Sequence, residues 1–163
     1  MAVSPQVYIH WSIEAPPDQM AGVTLDPIEA AVRRALAQEI DRDADLTVML
    51  TSDEMIRRLN AQYRNLDEVT DVLSFPQQEG DQDFVPAPDG VLHLGDISVS
   101  VPQAARQAVE SDQALQQELA LLIVHGALHL AGYDHADPQQ EKEMRERERA
   151  ALSQPEEGCA PVT

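Results

Sequence analysis

Three of the chain's five histidines, His125, His129 and His135, fall within eleven residues, and that density points to metal ligation. His125 and His129 are four apart, so on a helix they stand one above the other on a single face, close enough to bind one ion. Gly132 follows, a residue able to take positive φ and end the helix. His135 lies three residues further on, where a reversing chain swings it back as a third nitrogen ligand. Three neutral nitrogens leave the fourth tetrahedral position of a zinc ion for water, whereas structural zinc sites close with four protein ligands and are usually rich in cysteine. The pattern therefore predicts an open, catalytic site for one Zn2+, although nitrogen ligation also suits nickel or copper. Hydrolysis is the natural chemistry, because zinc lowers the pKa of bound water toward about 7 and polarises a carbonyl or phosphoryl oxygen.

The spacing of His, His four later, Gly seven later and His ten later resembles the ligand frame of the long metzincin zinc motif. One position departs from it. Gly126 follows the first histidine, where zinc peptidases carry the glutamate that acts as general base, so peptide hydrolysis ranks low. The acid or base must be sought among other carboxylates, and four are candidates. Asp134 adjoins His135 and is its hydrogen-bonding partner, the base, or an exposed turn aspartate. Asp96 sits on the polar face of a strand and is expected to line the cleft and contact substrate. Asp71 either faces the site or ties a strand end. Glu118 precedes His125 by seven residues, a helical rise of about 10 Å, which makes it a cleft-rim or structural group. For phosphate contact the candidates are the arginines of the one local basic cluster in the first half of the chain, Arg64 with Arg57 and Arg58, since a guanidinium fork matches phosphate oxygens bidentately. Arg57 and Arg58 stand a turn or two before Arg64, and serve equally well as partners of a helix C-terminus or of nearby carboxylates.

These residues need elements to position them. Val7 to Ile13 alternates with period two, the signature of a strand. Asp26-Pro27 opens a helix expected to run through Ile40. Leu46 to Thr51 is a second strand, and Ser52 or Asp53 caps a second helix carrying Met55, Ile56, Leu59 and Tyr63. Val72 to Phe75 is a third strand stopped by Pro76, and residues 77–90 form a loop rich in Pro, Gly, Asp and Gln. Leu94 to Val101 is a fourth strand, with Asp96, Ser98 and Ser100 on one face and Gly95, Ile97, Val99 and Val101 on the other. Pro102 opens a third helix, and Ser111 or Asp112 caps a fourth that runs to about Ala131. This histidine helix is apolar on both sides of the His125–His129 line and is expected to be buried nearly all round. Gln139 to Leu152 is a fifth helix whose Glu/Arg interleaving reads as a solvated face. The expected architecture is α+β: one compact domain over residues 1–152, a mixed sheet of about four strands, about five helices, and a flexible tail over 153–163.

Composition bounds the function. At 163 residues the chain suits a single core. Its formal charge of -18 argues against a broad basic surface for nucleic acid, so any phosphate contact must be local. Cys159 is the only cysteine, which excludes an intrachain disulfide. The first residues show no basic start followed by a long apolar run, and no stretch is apolar for about 18 residues. A cytoplasmic location is the expectation, with no membrane partner.

The stretch His125-Gly126-Ala127-Leu128-His129-Leu130-Ala131-Gly132-Tyr133-Asp134-His135 resembles the signature of the YbeY family of bacterial rRNA-maturation endoribonucleases. Leu59-Asn60 with Tyr63-Arg64, then Thr70 to Pro76, then Leu94 to Ile97 resemble that family's upstream blocks in the same order. The likeness implies a compact α+β domain, a single metal taken as zinc on His125, His129 and His135, and RNA processing around the ribosome. Arg64 matches the arginine thought to contact substrate phosphate. Val69 stands where the family often has proline, and Met144-Arg145 replaces a common Met-Phe pair. The leading reading is a zinc-dependent, single-strand-type endoribonuclease of rRNA maturation and ribosome quality control, with Arg64 and Asp134 as catalytic residues and Arg64 and Asp96 binding substrate. The alternatives are a metal-stabilised ribosome assembly or binding factor without nuclease activity, and a peptidase-like metal hydrolase.

Overall fold

Along the strand Ala44–Thr51 the side chains of Ala44, Leu46, Val48 and Leu50 are fully buried while Asp45, Thr47 and Met49 are half-covered. That alternation decides which face of the sheet meets the helices. The computed structural model describes residues 5–77, 90–133 and 137–153. Its elements in chain order are β1 (Val7–Ile13), a 3-10 turn at Pro17–Met20, α1 (Leu25–Leu36), β2 (Ala44–Thr51), α2 (Asp53–Arg64), β3 (Val72–Pro76), β4 (Leu92–Ser100), α3 (Val101–Glu110), α4 (Leu115–Leu130) and α5 (Pro138–Ser153).

The four strands form one mixed sheet in the order β1-β2-β4-β3. β1 and β4 each run parallel to β2, and β3 runs antiparallel to β4 at the edge. The α+β expectation of a four-stranded mixed sheet with five helices holds. Val32, Leu36, Leu119, Ile123 and Leu128 join Val48, Ile97 and Val99 in one apolar core, so α1 and α4 cover the apolar face. α5 closes over them: Met144 is buried, and Arg34 Nε donates to the Ala151 carbonyl at 2.8 Å. α2 lies over the opposite face beside β3 and β4, where Ser100 Oγ donates to Asp53 at 2.7 Å.

Some element ends differ from expectation for local reasons. α1 stops at Leu36 and not at Ile40, because the chain turns with Glu39 N–H on the Leu36 carbonyl at 2.9 Å. Ser111 and Asp112 do not cap α4. Ser111 ends α3, and Asp112 takes a left-handed φ of 54°, a conformation aspartate tolerates. α4 instead begins after Ala114, whose N–H is held by the Gln117 side chain at 3.0 Å. Val101 belongs to α3, since Ser100 Oγ accepts the Gln103 N–H and sets the helix start there. Ser52 caps α2 through the Met55 N–H at 3.1 Å, one of the two residues foreseen.

Candidate functional site

α4 is buried on most of its circumference, from Leu119 to Leu130, whereas His125 and His129 are only half-buried. They open onto a cleft of about 560 Å³. α4 reaches this position because Gly126 lets it lie close on the sheet: a Cβ there would stand 2.9 Å from Ile97 Cγ2 and 3.1 Å from Ser74 Oγ. Gly126 is thus a packing requirement as well as a departure from the peptidase frame, and a glutamate has no room at this position.

The helix ends as its sequence demands. Gly132 has φ of 108°, its N–H bonds the His129 carbonyl at 3.0 Å, and Tyr133 N–H bonds the Leu128 carbonyl at 3.0 Å. This pair of bonds is the Schellman arrangement, which reverses the chain at a left-handed glycine. Gly132 and Tyr133 both line the cleft. Tyr133 is anchored by its hydroxyl, which donates to Glu39 at 2.9 Å, and burial together with that carboxylate raises its pKa. His135 and Asp134, the expected third ligand and catalytic carboxylate, lie outside the described residues.

His125 and His129 face each other with their Nε2 atoms 3.2 Å apart and their rings edge-on at a centroid distance of 4.7 Å. Two nitrogens bound to one tetrahedral zinc at about 2.0–2.1 Å are separated by about 3.3–3.4 Å, so the pair has the spacing of ligands to a common ion. The Nδ1 of His125 sits against the carboxylate of Glu148 on α5. A carboxylate on Nδ1 fixes the tautomer that leaves the Nε2 lone pair directed into the cleft. Among the described residues no group of three or more ligand side chains converges on one point.

Glu148 is the site residue that the sequence reading missed. It lies in the Glu/Arg run taken for a solvated face, yet its side chain is only 13% exposed. A signal was present: Met144, Glu148 and Ala151 share one helical stripe, and Met144 and Ala151 are buried. A carboxylate in the apolar stripe of an otherwise charged helix must have a partner inside.

The opposite wall of the cleft comes from α2 and β3. Arg64, the last residue of α2, lines it. Asn65 then takes a left-handed φ of 59° as the helix cap, and the buried Asn60 holds the following turn by donating to the Glu68 carbonyl at 3.1 Å. Arg57 and Arg58 are removed from the site by ion pairs, with Asp67 at 2.7 Å and with Glu54 at 2.9 Å. Among the described residues no carboxylate pairs with Arg64. Ser74, which the sequence reading did not single out, also lines the cleft and donates to the Gly126 carbonyl at 3.4 Å.

Asp71 lines the cleft but is also tied down. Its Oδ1 accepts the Val72 N–H at 2.7 Å, and its Oδ2 accepts from Gln107 at 3.3 Å. Glu118 does not reach the histidines; it is buried at 5% exposure and bonded by Gln107, and burial, then the nearby Asp71 charge, raise its pKa against that bond. A carboxyl raised in the folded state stabilises the fold while protonated, and that contribution is lost as pH rises through the folded pKa. Glu118→Gln is therefore expected to raise the melting temperature at pH 7, and the gain should vanish in a scan below about pH 4. Asp96 corrects the expectation that it lines the cleft. It pairs with Phe75 across β3–β4, on the face turned away from α4, and lines a different cavity.

Comparison with known proteins follows the same outline. The family model described as Endoribonuclease YbeY matches residues 17–156. A protein of Heliobacterium modesticaldum named "Endoribonuclease YbeY" is 49% identical over 114 residues, covering 68% of this chain and 69% of its own length. One of the same name from Roseiflexus castenholzii is 39% identical over 142 residues, covering 86% of this chain and 89% of its own. A solution structure from Thermotoga maritima superposes with a TM-score of 0.59 at 30% identity, over 89% of this chain and 87% of that one.

Proposed function

Because the chain belongs to the Endoribonuclease YbeY family, we propose that it is a metal-dependent endoribonuclease acting on ribosomal RNA during maturation and quality control of the ribosome. The observation that carries this reading is the convergence of His125 Nε2 and His129 Nε2, 3.2 Å apart, on the same cleft that Arg64 enters. His125, His129 and His135 would hold one zinc ion. Zinc bound there supplies Lewis-acid activation of water and charge stabilisation at a phosphoryl oxygen.

The protein's own groups have separate tasks. Arg64 binds a phosphate of the RNA and holds it against the histidine wall, as a guanidinium does best when no carboxylate competes for it. Glu148 keeps His125 in the tautomer whose Nε2 lone pair faces the cleft. Asp134 is the proposed acid or base next to His135. The nucleophile is either water or the 2'-hydroxyl of the RNA itself. The proposed location is the cytoplasm; no helix among the described residues is long and apolar enough to cross a membrane.

One observation favours a second reading. A formal charge of -18 repels a polyanion at long range, which suits an assembly factor in which the metal only holds the turn after α4. The variant Arg64→Ala separates the two. It is expected to keep its zinc, to lose about 10²-fold in cleavage of single-stranded RNA, the scale of one lost charge-stabilising donor, and to show a shallower salt dependence of binding. Zinc retained and cleavage undiminished would remove Arg64 from the mechanism, and a wild type that never cuts would leave the assembly-factor reading. Glu148→Gln is expected to weaken zinc binding about 10- to 100-fold, the usual effect of losing the partner of a ligating histidine, read by competition with a chromogenic chelator.

A further inference from the structure

Consecutive residues at the end of α2 and along β3 face two different cavities. Arg64 and Ser74 line the histidine cleft, whereas Tyr63 and Phe75 line a second cavity of about 410 Å³ on the opposite face of the sheet. We propose that this second cavity is a nucleobase-binding subsite for the nucleotide next to the phosphate held by Arg64; this rests on the endoribonuclease reading of the cleft.

The lining does not suit a phosphate. Among the described residues it contains no cation, and its one charged group is the exposed carboxylate of Asp96. Leu59, Met49 and Ile97 make the rest of its wall mostly apolar. A neutral, flat ligand with a hydrogen-bond donor on its edge fits such a site, and a nucleobase is that ligand. Tyr63 is 60% exposed, the most exposed of the described aromatic side chains. Phe75 braces it from one side, with ring centroids 5.1 Å apart and the planes tilted by 60°. The Tyr63 ring is thus held in orientation while much of it stays open for stacking, the way aromatic side chains hold the bases of single-stranded nucleic acid.

Asp96 sets the preference. Its carboxylate can only accept, so it pairs with an exocyclic amino group, as acidic side chains do with the amino group of cytosine. In uracil the one ring N–H on that edge is flanked by two carbonyl oxygens, which the carboxylate repels. The subsite therefore takes an amino-bearing base in preference to uracil. The two cavities share neighbouring residues, Arg64 with Tyr63 at the end of α2 and Ser74 with Phe75 on β3. β3 is the edge strand, so an RNA strand whose phosphate rests on Arg64 passes around that edge and presents the next base to Tyr63.

The test uses the zinc-loaded full chain and a single-stranded oligoribonucleotide in which one abasic residue is moved along the sequence. Cleavage by wild type is expected to lose about tenfold in kcat/KM when the abasic residue falls at one position beside the cut, the effect of one lost base–aromatic stack. In Tyr63→Leu that position should cease to matter, and in Asp96→Asn the preference against uracil there should disappear. If no abasic position matters, or if Tyr63→Leu keeps the same sensitivity, the base subsite is wrong while the endoribonuclease reading stands. If wild type cuts no RNA at all, both fall.

Discussion

Purified His129→Ala is expected to carry no zinc under conditions in which wild type would retain the proposed one equivalent, and to cut single-stranded RNA at least about 100-fold more slowly. The scale follows from the geometry. Losing only the outer partner of a metal-bound histidine costs about 10- to 100-fold in affinity or activity, and His129 offers its Nε2 directly, 3.2 Å from that of His125. The fold should survive the change, because His129 is half-exposed to the cleft while Leu128 and Leu130 beside it carry the packing. A circular dichroism spectrum and a melting temperature close to wild type check this. Full zinc occupancy in His129→Ala would show that the metal lies elsewhere.

Gly95→Ala is expected to lower the melting temperature by roughly 10 °C, from a loss of about 3–5 kcal/mol at about 2–4 °C per kcal/mol for a chain of this size. Gly95 has φ of 135°, where a side chain is strained, and an added Cβ would stand 2.2 Å from the Phe75 carbonyl oxygen and 2.9 Å from the Gln77 nitrogen. Both neighbours are backbone, so neither can swing away. Relief requires opening the end of the β3–β4 ladder, where Gln77 N–H bonds the Leu94 carbonyl at 3.0 Å and Pro76 pairs with Gly95. Backbone strain alone accounts for about 1–3 kcal/mol, and the broken pairing adds the rest. Gly126→Ala is the milder comparison, since its nearest obstacle is a side-chain methyl of Ile97 and the helix gains about 1 kcal/mol from alanine. The Gly95 variant should also lose RNA cleavage, because Ser74 and Pro76 on the same strand line the cleft. A melting temperature within about 2 °C of wild type would contradict the close approach of the two strands.

The sequence was most legible where one local rule acted alone. Period-two alternation located β1, a short apolar run with β-branched members located β2, and the glycine after the histidine helix was read as a left-handed terminus, which Gly132 is. The two faces of β4 were also separated correctly. What could not be read was which face would meet α4, and so Asp96 was assigned to the cleft although the apolar side, through Ile97, carries the helix. Glu148 was hidden for a related reason. Its neighbours are charged and exposed, and they mask the short stripe of Met144, Glu148 and Ala151 that turns this carboxylate toward α4. Arg57 and Arg58 looked like companions of Arg64, but their partners Asp67 and Glu54 claim them, a competition among surface charges that spacing alone does not rank. Gly126 was read chemically, as a missing base, before its steric reason was visible.

The local character of the phosphate contact fits the acidity of the chain. With 29 acidic against 11 basic residues, affinity for RNA cannot come from a general field. The proposed contacts, Arg64, the metal on the histidines and stacking on Tyr63, all act at short range and would supply it.

The most direct test of metal-dependent cleavage is to strip the wild-type protein of metal with a chelator, remove the chelator, and titrate zinc back while following cleavage of a single-stranded ribosomal RNA fragment. Cleavage should fall to the level of His129→Ala on stripping and return in proportion to zinc, reaching a plateau at one equivalent per chain. Cleavage that persists undiminished in the stripped protein would contradict the account.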